Sequence, residues 1–161
     1  MSDGIIVAAA KAVEDFTKKY KVKNTPRKTL RSKAAQSFDR ACTRFGRRRT
    51  QRVFLRAYIR VAVAHFVSGE QRQGRRFYDG AFLFADQTAV RKELLAACIK
   101  AAREPYRAGN TDAVWCLVSA TGQYPPADMN FESIRTAFFA EGIDTRKLGK
   151  PPAYIPSYVL A

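Results

Sequence analysis

The sequence predicts an all-α protein, four longer helices with shorter ones beside them, and three observations carry that expectation. Apolar residues recur at three- and four-residue intervals through most of the chain, helix-capping residues stand ahead of those stretches, and glycine or proline closes them. The 161 residues are 47% hydrophobic and 12% aromatic, which is outside the disordered class and enough for one buried interior.

The first element is a short amphipathic helix over residues 3–16, with Asp3 as its N-cap and Ile5, Ile6, Ala9, Val13 and Phe16 on the apolar face. Residues 17–28 contain Pro26 and almost nothing apolar, so they read as an exposed basic arm. From Thr29 helical spacing returns in Leu30, Ala34, Phe38, Ala41, Cys42 and Phe45, and Gly46 stops it. The next helix runs from about Thr50 to Phe66. One stripe carries Val53, Ala57, Val61 and Ala64, another carries Arg49, Arg52, Arg56 and Arg60, and Ser68 and Gly69 end the helix.

Asp79-Gly80 between aromatic residues is the signature of a tight hairpin, so a minor β element is expected near residues 76–84. Asp86 or Thr88 opens a long helix to about Arg103, burying Val90, Leu94, Ala97, Cys98 and Ala101, with Pro105 as its end and a turn at Gly109-Asn110. Thr111 caps a shorter helix, TDAVWCLVSA, apolar on most of its circumference and therefore interior. TGQYPPADMN reads as a loop. Asn130 caps a last helix with Ile134, Ala137 and Phe138 inward, ended by Gly142. Three regions follow from composition: residues 1–28 as short helix and basic arm, 29–142 as helical core, and 143–161 as an extended tail with Pro151, Pro152, Pro156, Tyr154 and Tyr158.

Charge is the sharpest functional signal. Residues 18–60 hold sixteen Lys or Arg and one acid, Asp39, and so account for the entire net charge of +15. A polyanion is the natural partner of such a segment. Arg49, Arg52, Arg56 and Arg60 project from one helix face, where like charges repel by about a few tenths of a kcal/mol per pair. Phosphates offset that cost through counterion release, whereas a solvated face merely tolerates it. Arg47, Arg48 and Arg49 stand just ahead of the helix, placed to grip a backbone. The arm residues Lys18, Lys19, Lys21, Lys23, Arg27 and Lys28 suit capture of a strand; the same tract also fits a localisation signal or a membrane-surface patch, although Tyr20 is its only aromatic anchor. Tyr58, Phe77, Tyr78 and Tyr106 are aromatic groups that either stack on bases or fill the core.

Enzymatic chemistry has little footing. His65 is the one histidine, on an apolar helix, and reads as structural. Cys42, Cys98 and Cys116 have no metal or disulfide spacing, and neither a phosphate-binding glycine loop nor a nucleophile elbow is present. Asp86 with Glu93 and Asp112 with Glu132 read as caps and surface ion pairs. No catalytic residue, metal or cofactor is expected, and neither a membrane span nor a secretion signal is apparent. An intracellular, reducing setting fits.

Residues 50–135 carry a series of short motifs in order: Thr50-Gln51 at a helix start, Arg76-Phe77-Tyr78-Asp79 with Phe82, Ala89-Val90, Arg107 after the following helix, Thr121-Gly122-Gln123-Tyr124, and Phe131-Glu132. This stretch resembles the coat proteins of rod-shaped plant RNA viruses, the tobacco mosaic virus group. The resemblance implies a four-helix bundle with a small sheet at one end and encapsidation of single-stranded RNA in a helical rod. It also implies RNA contacts at Arg52 or Arg56, at Arg107 and at Asp112.

The expectation is therefore an RNA-binding structural protein, a viral coat or nucleocapsid protein that packages single-stranded RNA without sequence preference and associates with itself, located in the virion or host cytoplasm. Arg47, Arg48, Arg49, Arg52, Arg56, Arg60, Arg107, Asp112 and the arm cations are the nucleic-acid residues. The alternative is a non-capsid nucleic-acid-binding protein: a silencing suppressor, a small ribonucleoprotein subunit or a helix-turn-helix regulator.

Overall fold

Six rings, those of Phe16, Phe38, Phe54, Tyr58, Phe77 and Phe84, interlock at the centre of the molecule, with centroid separations from 4.7 Å for Tyr58 and Phe84 to 6.1 Å for Tyr58 and Phe77. Edge-to-face and tilted arrangements of this kind add about 0.5–1.5 kcal/mol per pair beyond area burial. The computed structural model describes residues 2–20 and 27–152, with the side chains of 4–17 and 33–152; these residues form seven α-helices and one 3-10 turn, without a strand. The helices are α1 (Ser2–Tyr20), α2 (Arg27–Phe45), α3 (Arg47–Val67), α4 (Gln71–Ala81), α5 (Gln87–Arg107), α6 (Thr111–Gln123) and α7 (Phe131–Ala140), and the 3-10 turn is Thr145–Leu148. The all-α fold expected from periodicity is the fold observed.

Helix α3 is the axis, touching α1, α2, α4, α5 and α6. Its buried residues are Thr50, Phe54, Leu55, Tyr58, Ile59, Ala62, Val63 and Phe66. Helix α2 lies antiparallel to it, since Phe38 meets Phe54 and Thr50 reaches back to Ala41. Helix α4 is also antiparallel, with Gly74 against Phe66 and Gly80 against Tyr58. Helix α5 therefore returns in the direction of α3, and Arg56 meets Glu93 near its start. Helix α6 reverses again, and Arg91 near the start of α5 donates to the Pro125 carbonyl at 3.0 Å, just past the end of α6. Ile134, Phe138, Ile143 and Leu148 close the core from α7 and the segment after it.

Several expectations are corrected. The hairpin near 76–84 is instead the end of α4 and the turn that follows, because Phe77, Ala81 and Phe84 have helical spacing and all face the core. Gly80 serves close packing there: a Cβ at this position would lie 3.2 Å from the Tyr58 ring. The small sheet implied by the viral resemblance is thus replaced by helix. Residues 17–20 and 27–28 of the expected arm are helical, and Asp3 lies inside α1 rather than at its cap. Lys21 and Lys23 lie outside the described residues, as do Tyr154, Pro156 and Tyr158 of the tail, whose beginning holds the 3-10 turn.

On α3 the buried stripe is not Val53, Ala57, Val61 and Ala64; the first three are half-buried and Ala64 is exposed. Ile6 of α1, expected in the core, is 55% exposed beside them. Pro105 lies within α5, which runs on to Arg107, and Asn110 rather than Thr111 caps α6 through a bond from the Ala113 amide. Thr121, Gly122 and Gln123 are helical rather than loop. The stops at Gly46, Gly69, Gly109 and Gly142 all have positive φ, the conformation that makes glycine a helix terminator.

Candidate nucleic-acid interface

The arginine surface is built on a one-residue corner. Helix α2 ends at Phe45, Gly46 takes φ +89°, and α3 starts at Arg47. Thr50 locks this corner: its buried hydroxyl donates to the Gly46 carbonyl at 2.7 Å and lies 3.2 Å from the Ala41 carbonyl. Arg47, Arg48 and Arg49 all project into solvent from the corner. The first turn of α3 holds no acid and Gly46 supplies no side-chain cap. Three cations thus occupy the helix end where the dipole favours anions, an arrangement that costs roughly 0.3–1 kcal/mol per charge at low ionic strength.

Arg52, Arg56 and Arg60 continue along α3, each exposed and one turn above the last. Among the described residues only Arg56 of this set has an acidic partner, Glu93 at 3.6 Å. Arg40 and Arg44 of α2 are exposed near the corner as well, and Arg44 lies over the Phe45 ring at 5.1 Å. These two were not singled out in the sequence because they follow no stripe with the α3 residues; Arg44 stands two residues before Gly46, while Arg40 borders the pocket between α1 and α2.

Other expected site residues lie elsewhere. Arg107 ends α5 and Asp112 starts α6. Since α5 runs with α3, both sit beyond the far end of α3, roughly 30 Å from the corner at 1.5 Å per residue. Each also has a local reason for its charge, a cation at a helix C-terminus and an acid at a helix N-terminus. Lys18 and Lys19 lie on the last turn of α1 and Arg27 and Lys28 on the first turn of α2, with their side chains outside the described residues.

The aromatic groups divide. Tyr58, Phe77 and Tyr78 are buried in the core and offer no face to a base, and Tyr78 stacks on Tyr124 with centroids 4.3 Å apart. Tyr106 is half-buried. His65 stacks on Phe77 and lies 3.5 Å from Glu70. The carboxylates read as caps and surface ion pairs take those places: Asp86 caps α5, Glu93 faces Arg56 and Glu132 faces Arg135, while Asp112 is exposed in the first turn of α6. Among the described residues no group of three or more His, Cys, Asp or Glu converges on a metal-sized site, and no helix is long and apolar enough to cross a membrane.

Comparison of the chain with protein-family models, with curated proteins and with solved structures finds no match.

Proposed function

We propose that this chain binds single-stranded RNA through its phosphates and packages it without sequence preference, as a viral coat or nucleocapsid protein. The observation that carries the reading is the exposed arginine surface of the α2–α3 corner and α3: Arg47, Arg48, Arg49, Arg52 and Arg60 have no acidic partner among the described residues. Cations held this way gain most from a polyanion, because each neutralised phosphate releases counterions. The scarcity of accessible rings and of ordered polar groups along the arginine row favours backbone contacts over base readout. The viral resemblance of residues 50–135 supports packaging, and with it self-association and a location in the virion or host cytoplasm.

Electron microscopy of the protein mixed with a long single-stranded RNA tests the packaging claim. Regular rods or filaments are expected. Small discrete complexes would instead assign a non-capsid nucleic-acid-binding role. A salt titration tests the binding claim separately, since affinity that stays flat between low and moderate salt is incompatible with a phosphate-dominated interface.

A further inference from the structure

The far half of the arginine row, Arg56 and Arg60, lies on one wall of a groove whose other wall is α5. About 800 Å³ of open volume lies between the two helices. Arg56 and Arg60 line it from α3 and Lys100 lines it from α5, while Ala64, Ala97 and Ala101 contribute to a floor of small side chains. Among the described residues Glu93 is the one acid on the lining.

We propose that this groove is the track for the sugar-phosphate backbone of a single strand, with Arg56, Arg60 and Lys100 as phosphate contacts and Glu93 as a built-in competitor for Arg56. The proposal rests on the nucleic-acid reading above and narrows it to one channel. Lys100 and Arg60 are exposed along this groove and have no acidic partner among the described residues. Like charges gathered along one cleft repel unless an anion lies among them. Helices α3 and α5 are in direct contact, so the groove is a furrow along the surface of the pair that an extended strand can follow. The alanine floor presents neither rings nor side-chain hydrogen-bonding groups, so the bases are not read and one contact set serves any sequence. Glu93 lies 3.6 Å from Arg56, a loose pairing that an incoming phosphate oxygen displaces.

Fluorescence anisotropy with a labelled oligouridylate of about ten nucleotides, titrated at several salt concentrations, tests the track. Lys100→Gln is expected to weaken binding roughly threefold to tenfold and to lower the slope of log affinity against log salt by about 0.7, the loss of one single-strand phosphate contact. Glu93→Gln is expected to tighten binding by a similar factor. Both residues lie on the groove surface, and a circular-dichroism melt of each variant checks that the fold is intact.

If Lys100→Gln and Glu93→Gln leave affinity unchanged while the triple Arg47→Gln, Arg48→Gln, Arg49→Gln variant weakens it, the track is overturned and the nucleic-acid reading stands. If the wild-type chain does not bind the oligouridylate at low salt, both fail. Equal affinity for a hairpin duplex, or for an oligoglutamate of matched charge, overturns the assignment of a single nucleic-acid strand.

Discussion

The ring of Phe66 on α3 lies directly on the backbone of Gly74 on α4, so close that a Cβ at position 74 would stand 2.6 Å from it. This contact holds the start of α4 against the end of α3. Gly74→Ala forces the ring or the helix to move, and overpacking of this kind costs about 1–3 kcal/mol. The gain in helix propensity returns up to about 1 kcal/mol. A net loss is expected, read as a lower urea midpoint with an unchanged slope. Gly80→Ala is milder, because the nearest Tyr58 ring atoms would be 3.2 Å away.

Tyr58 is fully buried, and its hydroxyl has no hydrogen-bond partner among the described residues. Tyr58→Phe keeps the ring contacts and removes the orphan group, so stability should hold or rise by about 1 kcal/mol in a thermal or urea melt. Burial also pushes the phenol well above its ordinary value of 10.0, with Asp15 adding to the shift. Burial raises Tyr78 and the Cys98 thiol in the same direction. The folded state therefore holds protons that the unfolded chain releases, so titration of these groups has no effect on stability below about pH 9 and removes stability as pH rises through 9 to 10 and beyond. Circular-dichroism melts from pH 7 to 11 should show this decline, with a shallower slope for Tyr58→Phe.

Thr50 holds the corner from which the arginines spread. Thr50→Val keeps the shape but deletes the hydroxyl that serves the Gly46 and Ala41 carbonyls. A loss of about 1–2 kcal/mol is expected on denaturation. A loosened corner should also reduce oligouridylate affinity, although no cation has been removed.

The triple replacement of Arg47, Arg48 and Arg49 by glutamine should move stability and binding in opposite directions. Removing three cations from the N-terminal end of α3 relieves a repulsion worth roughly 0.3–1 kcal/mol each at low salt. The melting temperature should rise in low salt and converge on the wild-type value in high salt, where the dipole interaction is screened. RNA affinity should fall. A variant with unchanged affinity would return these arginines to an ordinary solvated surface.

Helix positions and charge placement were legible in the sequence because both are local. Periodic apolar residues mark α2, α5 and α7, the glycines at 46, 69, 109 and 142 mark ends through their own backbone freedom, and Asp86 and Asn130 cap the helices they precede. The exposure of Arg49, Arg52, Arg56 and Arg60 follows from spacing alone. What spacing cannot express is the choice among apolar faces. Helix α3 is apolar on several sides, and only the positions of its five neighbours decide that Tyr58 and Ile59 are core while Val53 and Ala57 border an open groove. The same packing made α4 a helix, since Phe66 and Tyr58 reward a glycine-lined helical face more than a local turn signal rewards a hairpin. Topology likewise separated Arg107 and Asp112 from the arginine corner and brought Lys100 into the same groove as Arg60. Contacts between residues far apart in the chain depend on the direction in which each helix returns, and that direction is settled by the summed burial of the whole core.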